Sequence, residues 1–293
     1  MNDDQKTFLA SAIVVGTGAL WGVYWLPVRR LAEAGLPGAW GTLAAVLVAA
    51  VLLLPGALKH RGELRNASPV ALFYTALGGA AFVLYSVGLI YGRVAIIILL
   101  FYLTPVWSTV IDRYIRGQRS TVSRLLAIVL GLVGLAVMLG ANGEVPMPRN
   151  LGEWLALLSG ILWSISSTGI RHKSGLGAIA AGFVFVLGAC AGALFLIPFL
   201  APSPESLALG PAIGWGIATG SLWWAVFMTA LMWATARLEP ARVGILLMSE
   251  VLVGAFSGAI LAGEHLDRVE MAGGALVLTA AILEIWSNRK KPM

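Results

Sequence analysis

Glu250 is the one acidic residue near the centre of a long apolar stretch, Val243 to Gly263. At the middle of a lipid-embedded helix, a charged carboxylate costs about 2.5–3.5 kcal/mol on insertion scales. It therefore has to be neutral, hydrogen-bonded or facing water, where it can receive an ammonium group or a proton. The competing role is to brace a neighbouring broken helix. Asp112 and Glu284 sit near the ends of their stretches, close to Arg113 and Arg289, and are read as interfacial pairs. The three histidines, His60, His172 and His265, all fall at the ends of apolar stretches, and the single cysteine, Cys190, has no disulfide partner. There is no Gly-x-Ser-x-Gly nucleophile, no histidine-rich metal cluster and no phosphate-binding Gly-Lys-Ser loop. Hydrolytic, metal-dependent and ATP-driven chemistry on this chain is therefore not expected, and no cofactor is implied.

Aromatic residues are the second chemical resource: eleven Trp, six Tyr and ten Phe. Some belong to interfacial belts, but others recur at helical spacing beside small residues. Trp21, Tyr24, Trp25 and Val28 form one such stripe, and Tyr74, Gly78, Ala81, Tyr85 and Gly88 form another. Tyr102 stands beside Thr104 and Pro105, Trp163 beside Ser164 with Ser167 one turn on, and Trp223 and Trp224 precede Met228. Large rings, small residues and a few polar anchors are the ingredients of an apolar ligand site. With Met248 and Glu250, the cavity set is Trp21, Tyr24, Tyr74, Gly78, Tyr85, Tyr102, Trp163, Ser164, Ser167, Trp224, Met228, Met248 and Glu250. Packing without a ligand is the other reading for each of them.

The elements that must carry these residues follow from composition. Of 293 residues, 59% are hydrophobic and 12% charged, which excludes an ordinary soluble surface. Charged residues divide the chain into ten apolar stretches, beginning with Phe8 to Val28 and ending with Met271 to Asn288. Each reaches or exceeds the ~17–25 residues that a helix needs to cross about 30 Å of hydrocarbon. The runs are continuous rather than alternating, so spanning helices are expected and a β-barrel is not. The expected fold class is an all-α membrane protein of ten transmembrane helices. Phe8 to Val28 is too long for a signal-peptide core and is read as a retained first span.

A net charge of +6 does not point to nucleic acid, because the cations are dispersed over connections rather than gathered with aromatics. Topology accounts for them better. With a cytoplasmic amino terminus, fifteen of the twenty Lys and Arg residues fall inside, and only Arg29, Arg30, Arg93, Arg149 and Arg268 fall outside. This positive-inside excess places both termini in the cytoplasm.

A weak internal repeat is visible. Leu20-Trp21-Gly22-Val23 with Arg29-Arg30 echoes Leu162-Trp163-Ser164-Ile165 with Arg171-His172 at a spacing of 142, and Pro105 to Gln118 parallels Val251 to Glu264 at 146. The expected units are residues 1–143 and 144–293. Five spans per half force the second half to insert in the opposite sense, giving inverted repeats with a site near the midplane. Pro105 removes an intrahelical hydrogen bond and should kink its span, and its repeat counterpart lies at Ser249-Glu250-Val251. Pro105 and Val251 are the candidate hinge positions. Glycine pairs four apart, such as Gly18 with Gly22, Gly188 with Gly192, Gly210 with Gly214 and Gly254 with Gly258, are read as tight intramolecular packing. A monomer is expected, with a dimer through one such face as the alternative.

Several stretches carry a resemblance. They are Leu20-Trp21-Gly22, Glu239-Pro240-Ala241-Arg242-Val243 running into Leu246-Leu247-Met248-Ser249-Glu250, Ala262-Gly263-Glu264-His265-Leu266, and Gly273-Gly274-Ala275-Leu276. In order and spacing the whole chain resembles the EamA-type ten-helix exporters of the drug/metabolite transporter superfamily, and within them the YddG-type aromatic amino-acid exporters. The resemblance implies two inverted five-helix repeats around a central cavity in a bacterial inner membrane. It implies export of aromatic or other hydrophobic amino acids from the cytoplasm. The chain departs from many relatives at Val251, where they have Pro, and at Gln118, where they have an acid.

The resulting expectation is a transporter of free amino acids, with the substrate ring against Trp and Tyr side chains and its ammonium near Glu250. A nucleotide-sugar or phosphorylated-metabolite carrier is the alternative, but it would need mid-span Lys or Arg, and there is none. A membrane-embedded enzyme and a non-transporting scaffold or channel are the alternatives from other classes.

Overall fold

The computed structural model describes residues 3–114, 122–140, 147–173, 175–200, 208–235, 237–238, 243 and 246–288. Every regular element among them is helical. In chain order they are α1 (Asp3–Gly22), α2 (Trp25–Glu33), α3 (Ala39–Lys59), α4 (Arg61–Asn66), α5 (Pro69–Tyr91), α6 (Val94–Phe101) and α7 (Thr104–Tyr114). There follow α8 (Val122–Leu139), α9 (Leu151–Lys173), α10 (Ala178–Leu200), α11 (Leu209–Thr219), a π-helical stretch (Gly220–Phe227), α12 (Met228–Thr235), α13 (Ser249–Leu261) and α14 (Arg268–Asn288).

Five segments are long and apolar enough to cross a bilayer: Asp4–Glu33, Ala39–Lys59, Pro69–Tyr91, Ala178–Leu200 and Leu209–Thr235. Val94–Ser108, Leu125–Leu139 and Ser249–Leu261 are apolar helices of shorter length. Large apolar side chains such as Val51, Phe195, Phe256 and Ile260 point outward, more than 60% exposed, as suits a surface whose solvent is hydrocarbon.

Local sequence sets where helices start and break. Ser68 caps α5 by accepting the Ala71 N–H at 3.1 Å, and Pro69 occupies the first helical position, where no N–H is needed. The first span is two helices rather than one. Pro27 has no N–H for the Val23 carbonyl, which instead accepts from Leu26 at 3.1 Å, and the chain turns at Val23–Tyr24. The apolar segment that begins at Val94 is interrupted in the same way at Tyr102–Leu103. Pro105, in the first turn of α7, cannot serve the Phe101 carbonyl, and the Thr104 hydroxyl takes that acceptor at 2.6 Å. The Pro105 and Asp112 side chains, and Gln118, lie outside the described residues.

Helices approach closely where glycines meet. α5 packs on α9 and α10, α10 on α3, α8 on α14, and α1 on α12 and α13. A Cβ added at Gly79 would fall on the Phe185 carbonyl and 2.7 Å from the Ala189 amide, while one at Gly188 would strike the Ala76 backbone. Gly18 and Gly22 meet α13 at Ser249–Glu250 and Gly254. The glycine pairs thus serve packing within the chain, except Gly210 and Gly214, which have open space beside them.

Candidate functional site

The centre of the molecule is a cluster of rings drawn from six helical segments. Trp21 and Tyr24 come from the first, with centroids 4.6 Å apart. Trp21 also meets Phe82 at 5.1 Å, Tyr85 at 6.4 Å and Trp224 at 5.9 Å. Phe82 is the hub, edge-on to Phe101 at 5.5 Å, Trp163 at 5.1 Å and Phe185 at 5.3 Å. Tyr24, Tyr85, Phe185 and Trp224 are fully buried, so the rings pack on one another instead of lining an open hollow. Perpendicular and tilted pairs of this kind set the positive edge of one ring against the negative face of the next.

Glu250 sits at the edge of this cluster, in the first turn of α13, and is 7% exposed. Its Oε1 accepts the Tyr85 hydroxyl at 2.6 Å, and its Oε2 lies 3.2 Å from the Tyr102 hydroxyl, which also reaches the Leu247 carbonyl at 2.6 Å. Among the described residues no cation pairs with it. A buried carboxylate held by neutral hydroxyls keeps an unfilled place for a positive charge. Its two tyrosines come from α5 and from the break between α6 and α7, so the arrangement exists only where three helical segments converge.

A second polar chain runs beside it. Trp224 Nε1 donates to the Tyr24 hydroxyl at 2.8 Å, which lies 2.9 Å from Ser86 Oγ, and that in turn lies 2.7 Å from Thr42 Oγ1. The π-helical stretch brings the adjacent Trp223 to the same span, with its Nε1 donating to the Leu20 carbonyl at 2.8 Å. Single π turns inside helices often mark functional sites. Trp25 Nε1 donates to Ser257 Oγ at 2.9 Å, which ties the first span to α13.

The other expected cavity residues are distributed unevenly. Gly78 borders the cluster, since a Cβ there would meet Ser166 Oγ at 2.6 Å and the Trp163 and Phe185 rings at 3.1 Å. Met228 is fully buried at the start of α12. Ser164 directs its hydroxyl to the Gly160 and Thr104 carbonyls, at 2.7 and 2.9 Å, and Ser167 to the Ser164 carbonyl at 3.3 Å. Met248 lies in the turn before α13, its carbonyl accepting from Val251, which is buried in the next turn. Tyr74 stands eleven residues before Tyr85, about 16 Å along the helix, and packs against Gly169 instead. Phe82, Phe101, Phe185 and Ser86 were not singled out from the sequence. Phe82 carried a usable signal, because it completes the Gly78–Tyr85 face at i+4.

One end of the bundle is closed by ion pairs. Arg29 contacts Glu264 at 3.0 Å and donates to the Leu89 and Gly92 carbonyls at 3.0 Å, while Glu264 accepts the Val94 N–H at 2.7 Å. Arg93 pairs with the buried Glu270 at 2.6 and 3.1 Å and also reaches the His265 carbonyl. Arg30 pairs with Glu33 at 2.8 Å, and Arg149 reaches the Leu139 carbonyl. Four of the five cations expected on the outer side thus have local acceptors at short range. The side chains of Arg171, His172 and Glu284, together with Arg289 and residues 239–242, lie outside the described residues.

A many-helix membrane protein with a ring-packed centre and, at its edge, a buried acid that no cation among the described residues pairs is the class that this geometry defines. The profile of the EamA-like transporter family matches residues 9–140 and again 150–286, and the chain belongs to that family. It is 26% identical over 290 residues to the uncharacterized transporter YvbV of Bacillus subtilis, covering 95% of this chain and 91% of that one. An uncharacterized transporter of Archaeoglobus fulgidus is 28% identical over 197 residues, covering 66% of this chain and 67% of that one. A crystal structure superposes with a TM-score of 0.62 at 18% identity, covering 96% of this chain and 98% of that one, which is a likeness of fold. The protein is a multi-pass membrane transporter of the EamA type.

Proposed function

We propose that this transporter exports free amino acids, aromatic and hydrophobic ones preferred, by alternating access, as the YddG-type exporters do. The observation that carries the reading is Glu250, a buried carboxylate with two tyrosine hydroxyls on its oxygens, no cation beside it among the described residues, and a wall of rings behind it. An amino acid supplies the missing positive charge with its ammonium, and its side chain joins the ring cluster. A phosphorylated substrate would instead need a buried Arg or Lys, and the apolar stretches hold none.

In this reading the chain is two inverted five-helix repeats, residues 1–143 and 144–293, with both termini in the cytoplasm of a bacterial cell and the protein in the inner membrane. The two-segment family match supports it. So do contacts that recur in related pairs: the third span with the sixth and the first with the eighth, the third with the seventh and the second with the eighth. The Arg29–Glu264 and Arg93–Glu270 pairs form the outer gate, the breaks at Val23–Tyr24 and Tyr102–Leu103 the bending points, with Pro105 and Val251 flanking the moving turns. The working unit is the monomer. Counterflow of labelled tryptophan, methionine and threonine in proteoliposomes tests the proposal: saturable exchange, strongest for tryptophan, is expected, and absence of exchange for all three overturns it.

A further inference from the structure

Two buried donors on α1 have no acceptor among the described residues. Thr17 Oγ1 belongs to a residue with no exposure and Trp21 Nε1 to one that is 3% exposed, and neither finds a hydrogen-bond partner. They are four residues apart, one helical turn, and so share a face. That face is not the one that docks on α13, which is formed by Gly18 and Gly22 against Ser249 and Glu250. Trp21 turns into the ring cluster, against Phe82, Tyr85 and Trp224, and Tyr85 is the residue that donates to Glu250. Trp21 and the unpaired acid therefore flank the same rings, with Thr17 one turn before Trp21 on its face of α1.

Buried donors without partners are rare, because each loses its bonds to water and gains nothing in exchange. Phenylalanine and valine would fill these positions without that loss. Neutral donors also do not compete with an ammonium for Glu250. A cation built in here would pair with Glu250 in the empty site and take the place meant for the ammonium, whereas an indole N–H and a hydroxyl leave that place open and still hydrogen-bond the substrate's anionic end.

We infer that Thr17 Oγ1 and Trp21 Nε1 form a carboxylate subsite, so that the site reads both ends of a zwitterion: ammonium at Glu250, carboxylate at α1. The inference rests on the amino-acid reading above and narrows it to substrates that carry a free α-carboxylate. The test uses the full chain in proteoliposomes and compares tryptophan with tryptamine, which keeps the ring and ammonium but lacks the carboxylate. Labelled tryptophan reports its own half-saturating concentration, and tryptamine is measured by competition. Trp21→Phe and Thr17→Val should each raise the value for tryptophan about tenfold, the scale set by losing a hydrogen bond to a charged group, and leave tryptamine within about twofold. Thr17→Val keeps the side-chain shape and serves if Trp21→Phe fails to fold. Equal weakening of both ligands would assign Trp21 and Thr17 to packing and overturn the subsite, as would unchanged tryptophan affinity in both variants. Absence of amino-acid exchange by the unaltered protein would overturn the underlying reading, and the subsite with it.

Discussion

Glu250→Gln separates the transport role of this acid from its part in holding helices together. The surroundings accept glutamine well. Its carbonyl oxygen can still take the Tyr85 hydroxyl, now at 2.6 Å. Its amide can donate to the Tyr102 oxygen, whose proton is already directed at the Leu247 carbonyl 2.6 Å away. The exchange is one charge-assisted bond for neutral ones, a difference of about 1 kcal/mol within the fold. Binding loses much more. Removing one partner of a buried charge pair costs about 2–5 kcal/mol, so the half-saturating tryptophan concentration should rise at least ~30-fold. Counterflow in proteoliposomes reads that shift, and size-exclusion chromatography in detergent should show the variant as monodisperse as the parent. Tryptophan exchange in Glu250→Gln with unchanged half-saturation and rate would refute the ammonium site. Loss of monodisperse protein would show instead that the acid braces the helices.

Gly79→Val should cost about 1–3 kcal/mol by forcing α5 off α10, whose Phe185 carbonyl and Ala189 amide occupy the space of the new side chain; a lower melting temperature in detergent checks it. Glu264→Gln should free Arg29 and the Val94 amide from a charged acceptor, weakening the outer closure by about 1.5–3 kcal/mol, and raise the solvent accessibility of a cysteine placed at position 92, read by maleimide labelling of intact cells. Glu63 accepts the Gly177 N–H and pairs with His60, and these, the amide first, hold its carboxyl below the usual glutamate range. Because that value is lowered in the folded state, the tie from α4 to the start of α10 is intact above the ordinary glutamate range and is lost as pH falls through the lowered value. Protection from hydrogen exchange around residues 60–66 and 177, relative to the intrinsic rate at each pH, should therefore fall at pH values below the ordinary glutamate range, and it should not change in Glu63→Ala, which lacks the tie at every pH.

Sequence alone was enough for the class of protein. Lipid admits only helices or closed barrels, and long uncharged runs without alternation leave helices. It also isolated Glu250, because a single acid in an apolar run is costly wherever the run folds. Helical spacing named Trp21, Tyr24 and Tyr85, and polar, proline or methionine neighbours named Tyr102 and Trp224, five of the rings or hydroxyls that the fold gathers, since such patterns are local properties. Tyr74 belonged to the same stripe as Tyr85 and yet stands about 16 Å from it along α5. Periodicity gives the face of a helix and says nothing of depth. Phe8 to Val28 read as one span, and it is the structure that shows the break at Val23–Tyr24 before Pro27, which lets Tyr24 and Trp25 take separate polar partners.

What tertiary structure decided is which groups meet. Tyr85 and Tyr102 reach Glu250 across 165 and 148 residues of chain, and Arg29 and Arg93 reach Glu264 and Glu270 across 235 and 177. No local pattern encodes such pairs, because each depends on how helices from distant parts of the chain cross. The same holds for Thr17 and Trp21, whose donors are left without a partner among the described residues only by how the helices pack around them. Composition chose the solvent and the helix, and the crossing of helices chose the chemistry.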